Sequence, residues 1–439
     1  MDYGLQAWML VSASLVLMMT TPALALFYGG MSRSKSVLNM MMMSFSAMGV
    51  IGIVYVLWGW SMSYSDKDIA LLFANPFELF GLKGLEGADY LGVGFQLTFA
   101  VITAALISGA VADRLKFSAW LLFLPLWVTF SYFPLAHMVW GGGFLSDAKN
   151  GLADLIFGGD VAPVDYAGGT VVHINAGVAG LILAILLGKR LGFGKEPMKP
   201  HNLTLTMIGA GLLWFGWFGF NVGSWVPGDL TGEDAGAYWI AESSLVWLNT
   251  TVATCGAMVG WLIIEMIRDG KATSLGAASG VVAGLVAITP SCGALSPVGS
   301  IILGLVAGGV CALAVGLKYR FGYDDSLDVV GVHLVGGLIG TVGIGFLATS
   351  GGLFYGDGIK QLVVQTAVAL FAMLWAAVAT LIVGLIVKAI IGLRIEEDDE
   401  VGGIDLVAHG ESGYDLSTGM GSRSGGSVLT KSTQEKVNA

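Results

Sequence analysis

Val172-His173-Ile174-Asn175-Ala176-Gly177-Val178-Ala179-Gly180 returns 160 residues later as Val332-His333-Leu334-Val335-Gly336-Gly337-Leu338-Ile339-Gly340, with residue type kept at nearly every position. Each copy sets a histidine near the start of a long apolar run. Working outward, runs of about twenty apolar residues, the length that crosses a bilayer core, fall near 6–31, 37–64, 92–112, 118–138, 168–188, 203–224, 239–266, 274–290, 297–317, 328–349 and 361–391. The two copies open the fifth and tenth runs. Five is odd, so the halves must lie in opposite orientations, an inverted repeat whose solute sites fall near mid-membrane. The sequence therefore predicts an all-α integral membrane protein of 11 transmembrane helices. It comprises an inverted 5+5 repeat, about 6–190 and 203–350, plus one extra C-terminal helix.

Composition leads to the same class. Hydrophobic residues make up 55% and charged residues 12%, with mean hydropathy +0.78, more apolar surface than a soluble core hides. Lipid offers no hydrogen-bond partners, so the backbone must close its own bonds, and runs this long exclude the short alternating strands of a barrel. The 66 glycines suit close helix packing in a membrane. The start, Met1-Asp2-Tyr3, lacks the basic cluster of a secretory signal and is kept as part of the first span. Cys255, Cys292 and Cys311 have no ligand spacing and read as packing residues.

The net charge is −10, but its distribution says more than its total. Of 21 lysines and arginines, all but Lys67, Lys83, Lys149 and Lys360 fall in one set of alternate connections or in the tail. Basic residues gather on the cytoplasmic side, which puts the N-terminus outside and the C-terminus inside. The expected organisation is a membrane domain over 1–392 and a cytoplasmic tail over 393–439, disordered after about 416 where Ser, Gly and Thr dominate.

Ionisable groups inside spans cost about 2.5 kcal/mol or more at the centre, so each needs a reason. His173 and His333 are the two within spans, with Asp165 and Asp328 at the starts of the same two. The aspartates can cap their helices or ligate a solute. The histidines can be silent core residues, or form a site on the pseudo-twofold axis, where a neutral imidazole pair offers both a donor and an acceptor. His137, at the end of the fourth span, reads as structural.

Most of the 13 tryptophans suit an interfacial belt. Trp140 beside Gly141-Gly142-Gly143, Phe99 and Phe220 stand apart, because an aromatic face attracts a desolvating cation by about 2 kcal/mol in a dry site and can also plug against water. Ser224 lies where its hydroxyl can accept from the same ligand. Gly188-Lys189 and Gly194-Lys195 lack the Ser or Thr of a phosphate-binding loop, and no HExxH or paired-cysteine motif is present. No enzyme activity, cofactor, metal or nucleic-acid partner is expected.

Ala136-His137-Met138-Val139-Trp140-Gly141-Gly142, the stretch Asp165 to Asn175, Trp217-Phe218-Gly219-Phe220-Asn221, Thr289-Pro290 and Asp328-Val329-Val330-Gly331-Val332-His333 resemble, in the same order, the motifs of the ammonium transporter family (Amt/Mep/Rh), in its bacterial Amt branch. The likeness runs from Phe27-Tyr28-Gly29-Gly30 to about Tyr414.

The resemblance implies a homotrimer in the plasma membrane with one pore per subunit. His173 and His333 would be the twin pore histidines, Phe99 and Phe220 the stacked gate. Trp140, Ser224 and Phe99 would form the outer ammonium site, with Asp165 supporting it from behind. Ammonium would lose a proton at the gate, and proton and ammonia would pass along the histidines. Gly403-Ile404-Asp405 and His409-Gly410-Glu411-Ser412-Gly413-Tyr414 resemble the cytoplasmic motif that couples subunits and docks a PII-type regulator. The rival reading is an ammonium sensor signalling through the tail, but 392–439 is short and polar for an output domain. A channel for another small neutral solute, such as carbon dioxide, explains the histidine pair less well.

Overall fold

The computed structural model describes residues 3–225 and 232–414, with side chains of Gly232 and Glu233 left aside. The outer loop Val226–Asp229 and the disorder expected over 417–439 lie outside the described residues. Eleven helices carry the fold: α1 Tyr3–Met31, α2 Ser34–Tyr64, α3 Asp89–Val111, α4 Phe117–Trp140, α5 Gly169–Leu187, α6 Leu203–Val222, α7 Asp234–Asp269, α8 Ser274–Ile288, α9 Pro297–Phe321, α10 Val330–Leu347 and α11 Lys360–Ile391. The apolar runs foretold these within a few residues. Among the described residues ten of them are long and apolar enough to cross a membrane.

The exception is α8. Its 15 residues span only about 22 Å at 1.5 Å per residue, against a core of about 30 Å. It is buried along nearly its whole length, packed by α6, α7, α9 and α10. Non-helical backbone at this depth needs polar partners from the protein. Asn249 of α7 supplies them, donating to the carbonyls of Cys292 and Leu295 at 2.8 and 2.7 Å.

Helix ends are stopped by ordinary chemistry. Asn202 caps α6 by accepting from the Leu205 N–H, Thr273 caps α8 and Ser296 caps α9. The outward faces carry Phe45, Ile53, Ile263, Leu370 and Leu374, all exposed, as a lipid-facing surface requires.

The repeat is visible in backbone form. Both α5 and α10 open with a π-helical turn holding the histidine, Gly169–Ile174 and Val330–Leu334, followed by 13 residues of α-helix. The opening turn of each packs on the continuing helix of the other, as in two helices crossing in opposite directions. The crossing is close because glycines sit at equivalent points. A Cβ on Gly177 would lie 2.5 Å from the Leu334 nitrogen, and one on Gly337 would lie 3.1 Å from the Gly169 carbonyl oxygen.

Candidate functional site

The site is a file of rings running into the protein where α5 and α10 cross. Trp140 ends α4, partly buried, and its indole N–H donates to the Asp165 carbonyl at 2.8 Å. The indole is thereby held beside Phe99, the two rings 6.1 Å apart and nearly perpendicular. Phe99 and Phe220 lie nearly parallel, 15° apart with centroids at 4.0 Å, and both are fully buried. Beneath them His173 sits 6.2 Å from Phe220 and stacks on His333 at 5.3 Å, with the two Nδ1 atoms 3.2 Å apart.

Asp165 shapes the entrance. Its carboxylate accepts from the N–H groups of Gly168, Gly169, Thr170 and Val171 at 3.0, 2.5, 2.9 and 3.2 Å, and from the Thr170 hydroxyl. It caps α5 so fully that the carboxylate faces the helix rather than a solute. The turn requires Gly168, whose φ of +113° a side chain would strain and whose added Cβ would strike Val172 at 2.5 Å. Burial pushes the Asp165 carboxyl up, opposed by these hydrogen bonds. The Ser224 hydroxyl donates to the Phe220 carbonyl at 2.8 Å, which leaves its oxygen able to accept.

The reading of Asp328 is corrected. Its side chain does not cap α10; the cap is Asp325, accepting from Val329 and Val330 N–H at 3.0 and 2.8 Å. Asp325 precedes His333 by eight residues, as Asp165 precedes His173, and that spacing was the available signal. Asp328 has a φ of +64° and turns its carboxylate to Lys318 at 2.7 Å. Burial pushes the Asp325 carboxyl up to about 6, against the pull of Lys318.

Trp217 was also missed. Its indole stacks on His173 at 5.5 Å and 15°, anchored by an N–H bond to Thr289 Oγ1 at 2.8 Å. It lies three residues before Phe220 on the same helix face, a spacing legible in the run Trp214 to Phe220. His137 is tied at both nitrogens, to the Ser63 carbonyl at 3.0 Å and Asp68 at 2.8 Å, which leaves it no free function.

His173, His333, Trp217, Phe220, Phe27 and Leu106 help enclose a cavity of about 10 Å³, room for about one water. The buried His173 Nε2 has no partner there. A neutral pair joined Nδ1 to Nδ1 has one ring donating and one accepting, so one Nε2 carries a hydrogen and the other is bare. When a proton arrives at the bare Nε2, the shared proton crosses to the other ring and the hydrogen on that ring's Nε2 leaves; the pair stays neutral and the donating end is reversed. Among the described residues no group of three or more His, Cys, Asp or Glu is placed to hold a metal. All three cysteines are free.

The tail residues lie together on the far face. Asp405 caps the helical start of Val37–Val54, accepting from Leu38 and Asn39 N–H at 3.0 and 2.8 Å. Gly403 passes against Lys35 with φ +109°, and Gly410 has φ +67°. Glu411 is exposed, its N–H reaching the Asp405 carbonyl at 3.3 Å, and the Tyr414 hydroxyl meets His201 Nε2 at 2.8 Å. Below them Arg190 bonds Asp324 and Asp113, burying three charges together. Burial alone would raise the Asp324 carboxyl, but the Arg190 guanidinium outweighs it and holds the group below the usual carboxylate range.

A model of the Ammonium Transporter Family matches residues 7–414. An ammonium transporter of Mycobacterium tuberculosis (strain ATCC 25618 / H37Rv) is 50% identical over 457 residues, covering 96% of this chain and 92% of the relative. One from Aquifex aeolicus (strain VF5) is 45% identical over 430 residues, covering 95% and 94%. Among solved structures, Saccharomyces cerevisiae Mep2 superposes with TM-score 0.78 at 31% identity, over 91% of this chain and 88% of that one. A sensor Amt protein superposes with TM-score 0.80 at 26% identity, over 92% and 98%. A match spanning nearly all of the chain, with relatives at half its residues identical, places this protein in the ammonium transporter family.

Proposed function

We propose that the protein takes up ammonium across the plasma membrane, binding it at an outer aromatic site and passing it through the Phe99–Phe220 gate as ammonia, with the proton relayed separately by His173 and His333. The observation that carries this is the unpartnered Nε2 of His173, a residue lining the small cavity beneath the stacked rings. A buried polar atom without a partner is costly, by about 1–3 kcal/mol, and fits a solute that visits.

At the entrance Trp140 and Phe99 offer ring faces to the cation and Ser224 an acceptor, while Asp165 holds the helix that shapes them. The gate is too tightly stacked for a hydrated ion. A cation stripped of water in so apolar a place gains by giving up its proton. Ammonia then fits the histidine cavity as donor and acceptor together, and the imidazole pair carries the proton by reversing its polarity. The names of the relatives, ammonium transporters, support transport over sensing.

On the positive-inside pattern the N-terminus is outside and the tail cytoplasmic, with α8 completing eleven membrane helices as a short buried crossing. The family resemblance supports a homotrimer and a PII-type regulator at the tail. The test is ammonium-evoked current from purified protein in liposomes. Current in the parent that vanishes, or loses selectivity over potassium, in His173→Ala and His333→Ala supports the relay; a silent but folded parent favours electroneutral passage or sensing.

A further inference from the structure

Ahead of each histidine helix, two consecutive main-chain carbonyls are taken by side chains from elsewhere in the fold. In the second half the Asp324 carbonyl accepts from Arg114 at 2.6 Å and the Asp325 carbonyl from Lys318 at 2.9 Å. The offset of 160 residues that relates His333 to His173 relates these two residues to Val164 and Asp165. There the Asp165 carbonyl accepts from the Trp140 indole at 2.8 Å, and the Val164 carbonyl from Gln365 Nε2 at 2.8 Å. Lys318 and Trp140 come from the ends of α9 and α4, the same helix in the two halves. Gln365 belongs to α11, the helix outside the repeat.

Gln365 is fully buried, on a helix that also carries the exposed Leu370 and Leu374. A polar group at this depth must find its partners within the protein, and the Gln365 amide is bonded to its full capacity. Its Oε1 accepts from the Val164 N–H at 2.9 Å and from Gln361 at 3.3 Å, while its Nε2 donates to the Val164 carbonyl and, at 3.2 Å, to that of Thr341 in α10. One side-chain amide thus binds both main-chain groups of Val164, as a paired strand would. The next two residues are tied in turn, Asp165 to Trp140 and the Tyr166 N–H to the Pro290 carbonyl at 3.1 Å.

We propose that Gln365 is a positioning residue for the outer ammonium site: by gripping Val164 at both main-chain groups it sets the Asp165 carbonyl where the Trp140 indole meets it. This rests on the reading of Trp140 and Asp165 as parts of that site. Val164 and Asp165 share a peptide plane, so the carbonyl that orients the indole and the carboxylate that caps α5 both take their place from α11. The eleventh helix therefore brings to the first half the grip that Arg114 brings to the second.

The experiment uses the full chain in liposomes. Half-saturation and maximal ammonium-evoked current are read alongside deuterium exchange of residues 163–171. Gln365→Met keeps the side-chain length and removes the grip; it should speed exchange of that segment and raise half-saturation by about tenfold, with the maximal current kept within about twofold. Gln361→Met lies one turn away and loses a bond to the Ala162 carbonyl at 3.1 Å, and it should leave half-saturation unchanged. Because the effect runs through the indole, Gln365→Met should add nothing in a Trp140→Phe background, where the N–H that meets Asp165 is already gone. Unchanged exchange in the folded Gln365→Met variant, or a shift in half-saturation as large in the Trp140→Phe background as in the parent, overturns the proposal. If Gln365→Met does not survive extraction, Gln365→Glu keeps an acceptor for the Val164 N–H, loses both donors when ionised, and is judged by the same two readouts. A silent parent, or Trp140→Phe with the parent's half-saturation, sinks the transport or the outer-site reading instead; exchange of residues 163–171 still decides whether Gln365 holds the segment.

Discussion

The crossing of α5 and α10 and the face that carries the tail treat buried polarity in different ways. Around His173 and His333 there are two imidazoles among aromatic rings, and one nitrogen is left without a partner. Near the tail the guanidinium of Arg190 is met on three nitrogens by Asp113 and Asp324, and Arg114 donates from all three of its nitrogens to Gly188, Ala112, Ser326 and Asp324. Both guanidinium groups are saturated, because an unpaired buried charge costs several kcal/mol, although Asp113 keeps one oxygen without a partner. Between the histidines and the aromatic rings one imidazole nitrogen is left open. The contrast is testable, since breaking the saturated region should cost stability and breaking the open one should cost activity.

The largest expected effect is in the saturated region. Asp324→Ala leaves Arg190 half-paired and should cost about 3–5 kcal/mol, seen as loss of the folded peak on size exclusion in detergent. Acid should reveal the same pair. The folded Asp324 carboxyl titrates below its unfolded value of about 3.9, so its stabilisation is present above that pH and is lost as pH falls through the depressed value. The parent should therefore lose thermal stability more steeply than Asp324→Asn between about pH 4 and 2; parallel acid profiles would show that the pair adds nothing.

In the open region His173→Ala should reduce ammonium current by at least about 100-fold while shifting the melting temperature by only a few degrees. A variant that loses both equally would make His173 a packing residue and end the contrast. The tail gives smaller effects. Asp405→Ala removes one cap, worth about 1 kcal/mol, and should speed proteolytic release of the tail without changing the melting of the helical core. Tyr414→Phe, which loses one exposed hydrogen bond to His201, should change tail protection by about 0.5 kcal/mol or less in hydrogen exchange.

The residues that the fold brings together at the crossing of α5 and α10 were partly legible beforehand. The repeat Val172–Gly180 and Val332–Gly340 singled out both histidines, and the aromatic run ending in Phe220 singled out the ring that stacks on Phe99, because periodicity and unusual residues survive in one dimension. Trp217 was hidden in that run, since nothing in the sequence says which of its rings faces a histidine. Asp325 was overlooked for Asp328 although its spacing to His333 equals that of Asp165 to His173. Both are acids before an apolar run, and only backbone direction, with Asp328 at positive φ, separates the cap from the ion pair.

The sequence by itself determined the class of this protein, the helices its apolar runs become and the paired histidine segments. Lipid demands long apolar runs, so that class is written in composition and order. The tertiary structure decided the stacking of Phe99 on Phe220, the contact of the two Nδ1 atoms and the choice of Trp140 at one end and Lys318 at the other. These join residues far apart in the chain. Their distances depend on how closely helices cross at Gly177 and Gly337, a property of packed surfaces that no single stretch of sequence contains.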